Sequence, residues 1–184
     1  MILLHFKDNK EEIIRRVIFA LLILFTAVLQ NTDGLFPKIY NCRAMLLIPL
    51  TVCIAMFEND MGGMMFGLIA GVVWDFYGAN TDGFYAVILV AAGYACSFLI
   101  ARYMRNNFVT AVFYSTVVSF LCATLYFLLF VLPAAGAGAG ELYLKFYLAG
   151  VLYTVALTPL YYFFVRMIAM KFRKEEAQAE DERL

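Results

Sequence analysis

The chain has 184 residues, of which 64% are hydrophobic and only 15% are charged, and its mean hydropathy is +0.81. Soluble domains are about half apolar and about a quarter charged, so a soluble fold of this length could not bury so much apolar surface. We therefore expect a bilayer to be the solvent for most of the chain. The formal net charge of +0 gives no reason to expect nucleic acid or a strongly charged partner.

Six apolar segments follow one another along the chain, and we predict a transmembrane helix in each. They cover residues 13–30, 44–57, 61–77, 83–101, 108–132 and 146–170. A helix needs about 20 residues to cross the bilayer core, so the second segment is short and could instead be re-entrant. The predicted fold is an all-α integral membrane protein with six transmembrane helices in one bundle. This membrane domain covers residues 1–170, and a charged cytoplasmic tail covers residues 171–184.

The distribution of Lys and Arg tests whether the second segment crosses the membrane. With six crossings and a cytoplasmic N-terminus, most of the 14 Lys and Arg residues face the cytoplasm, and only Lys38, Arg43 and Lys145 lie outside. If the second segment did not cross, most of these charges would move to the outside. The positive-inside rule therefore favours six spans with both termini in the cytoplasm.

The third and fourth segments are joined by the short turn "YGANTDG". Asp60 and Asp82 stand at the starts of these two segments, where an aspartate can accept backbone N–H groups, so we expect each to cap its helix. Gly78 suits the left-handed residue that commonly ends a helix. These features predict a tight turn between two antiparallel helices.

Small residues recur at four-residue steps in two segments: Gly63, Gly67 and Gly71 in the third, and Ala111, Ser115, Ser119 and Ala123 in the fifth. We call the first series the glycine ladder. Residues four apart share one face of a helix, and the absence of large side chains lets two helices approach closely in lipid. We expect this packing within the chain itself, and packing against another chain is the alternative.

Asp75 continues the glycine ladder by one further step. An aspartate at the bilayer centre costs about 2.5–3.5 kcal/mol, but Asp75 is less than one turn from the predicted outer end of its helix, where the cost is smaller. Three roles are open: bonding the backbone of the following turn, accepting a bond from a partner, or proton transfer. Proton transfer is the least favoured, because the other spans offer no relay of ionisable groups. A divalent cation between Asp75 and Asp82 is a further alternative, although capping is the simpler role for Asp82.

The residues needed for catalysis are scarce. The chain has one histidine, His5, near the predicted cytoplasmic N-terminus, and no serine or cysteine in the spans has a matching base. The four cysteines lack metal-ligand spacing and are typical of small packing residues. We therefore predict no catalytic residue, no metal site, no cofactor and no enzymatic activity.

The stretch "FGLIAGVVWDFYGANTDGFYAVILVAAGY" resembles the central signature of the bacterial rod shape-determining MreD family. That family has a small residue, a glycine and an aspartate at four-residue steps, then a glycine in a short turn and another that opens the next span. Here these positions are Gly67, Gly71, Asp75, Gly78 and Gly83. The first span ends in "LQ" and the last ends in "YYFFVRMIAMKFR", which fit the same family.

The resemblance implies a non-enzymatic scaffold subunit of the rod complex, which carries out lateral cell-wall elongation at the bacterial cytoplasmic (inner) membrane. Such a subunit is expected to bind MreC directly and to share a complex with MreB, RodA and the transpeptidase partner of RodA. The family is also thought to share the six-helix fold of the substrate-binding S components of vitamin transporters. An S component is therefore the alternative function, but these proteins carry an A-x-x-x-A face in the first span, and Ala20 and Ala27 do not form one.

Overall fold

The computed structural model of the chain describes residues 2–32, 45–77, 83–104, 106–133, 143 and 149–181. Within these ranges the chain forms six α-helices and no β-strand, which confirms the predicted all-α fold for the described residues. The helices are α1 (Ile2–Asn31), α2 (Leu47–Ala55), α3 (Asp60–Tyr77), α4 (Phe84–Arg102), α5 (Phe108–Tyr126) and α6 (Ala149–Asp181). A π-helical turn, Phe127–Val131, continues α5.

Three of the described helical stretches are long and apolar enough to cross a membrane. These are α4, α5 with its π-helical turn, and the first part of α6, Ala149–Phe172, with mean hydropathies of 2.1, 1.9 and 1.5. The backbone of α6 continues without a break to Asp181. Six crossings, cytoplasmic termini and the division into a membrane domain and a charged tail stay predictions.

Helix α2 lies at the centre of the bundle. All nine of its residues are buried, and it contacts each of the other five helices. At 1.5 Å per residue it is about 14 Å long, roughly half of the hydrocarbon thickness of about 30 Å. Its apolar residues are therefore shielded from lipid by protein, and the surrounding helices supply the apolar outer surface.

Charged and polar contacts gather at one end of the bundle, which we call the charged end. Arg15 in α1 pairs with Glu58 between α2 and α3, at 3.0 Å. Arg102 at the end of α4 pairs with Asp60 at the start of α3, at 2.9 Å. Asn106, just before α5, donates a hydrogen bond of 2.8 Å to the carbonyl of Met56.

A cavity of about 390 Å³ lies at the charged end, and its lining includes Arg15, Glu58 and Asn106 together with Ala169 and Met170 of α6. At the opposite end, the backbone N–H of Leu47 donates to Gln30 at 3.1 Å, and that of Met45 donates to the hydroxyl of Thr154 at 2.9 Å. These contacts place the start of α2 beside the end of α1 and the first half of α6. The six described helices therefore alternate in direction along the chain.

The start of α3 corrects one sequence expectation. Asn59 is the residue before the helix, and its side-chain oxygen accepts the N–H of Gly62 at 2.8 Å. Asp60 is already the first helical residue, and its carboxylate pairs with Arg102 instead. The predicted capping role of Asp60 is therefore wrong by one position, since asparagine and aspartate are equally good caps and only the helix start distinguishes them.

Candidate helix-packing site

The glycine ladder lies in the contact between α3 and α4, which we call the α3–α4 seam. A Cβ atom added at Gly67 would lie 2.9 Å from the carbonyl carbon of Leu89 and closer still to its oxygen. One added at Gly71 would lie 2.7 Å from the backbone nitrogen of Ala86. Because both obstacles are backbone atoms, they cannot move aside as a flexible side chain would. No residue other than glycine fits at either position without moving one helix.

The charged-end part of the seam brings small residues of both helices together. A Cβ atom added at Gly63 would lie 2.8 Å from the carbonyl oxygen of Gly93, and one added at Gly93 would lie 3.0 Å from the carbonyl carbon of Gly63. The hydroxyl of Ser97 donates a hydrogen bond of 2.7 Å to the carbonyl of Ala55, which ties α4 to α2. Sequence reasoning missed these α4 residues, although Gly93, Ser97 and Ala101 also stand at four-residue steps.

Asp75 caps the start of α4 from the end of α3. Its Oδ1 accepts the N–H of Tyr85 at 3.2 Å, and its Oδ2 accepts the N–H of Ala86 at 2.9 Å. The N-cap position of α4 is Gly83, which adopts a left-handed conformation with φ 85° and has no side chain to cap the helix. A carboxylate is favourable here because the first turn of a helix carries unpaired N–H groups and a partial positive charge.

The first of the three roles considered for Asp75 was a bond to the backbone of the connection that follows α3. The N–H groups that Asp75 accepts belong instead to the first turn of α4. Gly78 and Asp82, for which we predicted a helix-ending and a capping role, lie outside the described residues. Both carboxylate oxygens of Asp75 already accept backbone N–H groups. Within the described parts of the chain, no three His, Cys, Asp or Glu side chains come together as a metal site.

Aromatic rings close the seam at its Asp75 end. The rings of Trp74 and Tyr85 stack with centroids 4.0 Å apart and an interplanar angle of 3°. Phe84 meets Tyr126 and Phe130 edge to face, at 5.8 and 5.4 Å, so the cluster extends to the end of α5. Aromatic pairs of this kind contribute about 0.5–1.5 kcal/mol each beyond the area that they bury. They hold the first turn of α4 against the end of α5.

The second series of small residues lies on the buried face of α5, which packs against α2 and α6. Ser115 and Ser119 are both 0% exposed, and neither hydroxyl has a hydrogen-bond partner among the described residues. Ala111 and Ala123, at the two ends of the series, are buried as well. Both series of small residues are therefore enclosed within this chain.

The Arg15–Glu58 pair is largely shielded from solvent, with the side chains 16% and 2% exposed. Burial raises the pKa of Glu58 above its ordinary value, and the positive charges of Arg15 and Arg16 offset part of that effect. Sequence reasoning counted Arg15 only for its charge, because pairing between α1 and the α2–α3 connection depends on the tertiary fold. The pair joins the middle of α1 to the connection between α2 and α3.

The outer surface of the bundle is strongly apolar. Large hydrophobic side chains are more than half exposed on several helices, including Leu21, Phe25, Val87, Phe113 and Leu160. Such a surface needs lipid around it, since soluble monomers rarely expose large contiguous apolar patches. Together with the three long apolar helices, this surface defines the chain as a multi-pass membrane protein. The protein is built around a buried core helix and a seam in which Gly67 and Gly71 cannot be replaced without moving a helix.

The family model of the rod shape-determining protein MreD matches residues 10–168 of the chain. The protein belongs to the MreD family, which confirms the resemblance read from the sequence and makes it a rod shape-determining membrane protein. Comparisons with the curated proteins and with the solved structures gave no match.

Proposed function

We propose that this protein is a non-enzymatic scaffold subunit of the rod complex in the bacterial cytoplasmic membrane. It binds MreC directly and belongs to the same complex as MreB, RodA and the transpeptidase partner of RodA. Membership of the MreD family supports this proposal. The polar contacts of the described residues support it too, because the bonds made by Asp75 and Ser97 connect helices to one another.

The observation that carries the proposal is the backbone contact between α3 and α4. Gly63, Gly67 and Gly71 are buried against α4, so a partner helix has no access to them. Their part in partner binding is therefore indirect: they hold the α3–α4 pair in one shape, and MreC binds to the outer surface of the bundle. A rigid seam of this kind suits a scaffold, which needs a constant surface.

Co-purification tests the proposal. The tagged full-length protein is extracted in mild detergent from cells that produce it at its natural level, and MreC is quantified by mass spectrometry. We expect MreC to be recovered with the wild-type protein in comparable molar amounts. If MreC is absent from the wild-type sample, or if a tightly bound vitamin is found instead, the scaffold proposal is wrong.

Two variants make the test specific. Gly71→Leu forces a large side chain into the α3–α4 seam, whereas Ala91→Leu adds the same kind of bulk on the exposed face of α4. We expect MreC to be lost with Gly71→Leu and retained with Ala91→Leu. Recovery of MreC with Gly71→Leu at the wild-type level would contradict the claim that the seam shapes the binding surface.

A further inference from the structure

An open groove runs between α1 and α3 from the charged end toward the middle of the bundle. Its volume is about 380 Å³, and its walls are mostly apolar. The apolar lining includes Val17 and Ala20 on α1, and Met65, Phe66 and Ile69 on α3. On α3 the lining extends from Met61 to Ile69, about 12 Å along the helix axis. The groove therefore begins at the polar rim and reaches well into the apolar zone.

The rim of the groove at the charged end is polar. It carries the guanidinium of Arg16 and the amide of Asn59. Arg16 pairs with Glu12 at 2.7 Å, but the two side chains are 46% and 40% exposed. An exposed pair four residues apart in a helix is worth only about 0.3–0.5 kcal/mol, so another anion can compete for the guanidinium.

We propose that this groove binds an anionic phospholipid. One acyl chain lies along the apolar walls, and the phosphate meets Arg16 at the rim, with the amide of Asn59 as a second donor. The arrangement of a cation above an apolar channel is complementary to the arrangement of a phosphate above an acyl chain. Basic pockets between transmembrane helices bind lipid headgroups in this way.

The lining favours a lipid over the helix of a partner protein. Helix–helix contacts in membranes are enriched in small residues, whereas the α3 side of this groove includes the large residues Met61, Met65 and Phe66. Methionine side chains are flexible and fit an irregular partner such as an acyl chain. Arg16 also gives the rim a charge, which a wholly apolar helix face would not complement.

The test uses the full-length protein in nanodiscs that contain equal amounts of phosphatidylglycerol and phosphatidylcholine. Lipids that stay bound after release are counted by native mass spectrometry. We expect the wild-type protein to retain phosphatidylglycerol in preference. Arg16→Gln should reduce that preference about fivefold, the effect expected for one basic residue at a membrane surface. Equal retention of the two lipids by the wild-type protein would overturn the proposal.

Matched variants separate the groove from the general surface charge. Arg166→Gln removes a positive charge from the same end of the bundle, but Arg166 is exposed on α6 and does not line the groove. This variant should leave the preference for phosphatidylglycerol within about twofold of wild type, because a charge outside the groove does not contact the bound phosphate. If Arg166→Gln and Arg16→Gln have equal effects, the preference reflects diffuse charge and the proposal is wrong.

Filling the groove gives a second, independent test. Ala20→Phe should lower the retention of both lipids, whereas Leu24→Phe, on the exposed surface of α1 outside the groove, should not. Thermal unfolding of each variant verifies that the bundle is intact. If the folded Ala20→Phe protein retains as much lipid as wild type, or if a partner helix occupies the groove in excess phosphatidylglycerol, the proposal is overturned.

Discussion

The carboxylate of Asp75, near the end of α3, accepts the backbone N–H of Ala86 in the first turn of α4 at 2.9 Å. One helix therefore supplies the cap for the next, because the N-cap residue of α4, Gly83, has no side chain to do so. The glycine ladder makes this possible, since the two backbones are close enough at Gly71 for the acid one turn further on to reach α4.

Replacing Asp75 distinguishes hydrogen bonding from charge. Asp75→Asn keeps one oxygen acceptor and should lower the free energy of unfolding by about 1 kcal/mol. Asp75→Leu removes both acceptors and leaves two helix N–H groups unpaired, so the loss should be about 2 kcal/mol or more. Denaturant titration of the purified protein in detergent measures both losses. A loss with asparagine as large as that with leucine would mean that the charge itself is required.

Enlarging Gly71 should open the α3–α4 seam. A Cβ atom there meets the backbone of Ala86, so Gly71→Ala should cost about 1–3 kcal/mol of unfolding free energy by overpacking. Gly71→Leu should cost more, since the longer side chain separates the helices further. Ala91→Leu, on the exposed face of α4, is the matched control and should melt within a few degrees of wild type. Unchanged melting of Gly71→Leu would mean that the ladder does not hold this pair of helices.

Two buried serines should differ in how much stability is lost when each is replaced by alanine. Ser97→Ala removes the donor to the carbonyl of Ala55 and should cost about 1–3 kcal/mol of unfolding free energy. Ser119→Ala removes a hydroxyl that has no partner among the described residues, so it should be neutral or slightly stabilising. Unfolding in denaturant compares the two variants directly. A larger loss for Ser119→Ala would reveal a contact made by that hydroxyl.

Glu58 should make stability depend on pH. Burial raises the pKa of Glu58 in the folded protein, so the folded state binds this proton more tightly than the unfolded chain. The resulting stabilisation is complete below the ordinary pKa of the carboxyl group and is lost as the pH rises through the raised pKa. The free energy of unfolding should therefore fall with rising pH across this window. Glu58→Gln should remove this part of the pH dependence. If the free energy of unfolding of the variant changes with pH as that of wild type does, Glu58 is not the group responsible.

Hydropathy located the third and fourth helices to within one residue, because it reports which residues prefer lipid. The third segment was predicted at residues 61–77, and α3 is Asp60–Tyr77; the fourth was predicted at 83–101, and α4 is Phe84–Arg102. The first segment was predicted at 13–30, yet α1 is Ile2–Asn31. A helix can continue outside the bilayer on its own backbone hydrogen bonds, so a change in hydropathy does not mark where it ends.

Of the two helices that form the α3–α4 seam, only the α3 face could be predicted from the sequence. The spacing of Gly63, Gly67 and Gly71 indicated a packing face, but nothing in α3 itself identified α4 as the helix that covers it. Which backbone N–H groups Asp75 accepts depends on the approach of the two helices, and that distance follows from the packing of the whole bundle. Pairing of Arg15 with Glu58 depends in the same way on where α1 meets the core helix.

The cell shape supported by variants of this protein tests the central claim most directly. In a rod-shaped bacterium depleted of its own copy, wild type and Ala91→Leu should restore a normal cell width, and Gly71→Leu should leave rounded cells at equal protein level. This result would show that the α3–α4 seam underlies the shape-determining role. Normal rods with Gly71→Leu, or no change in width on depletion, would contradict the account.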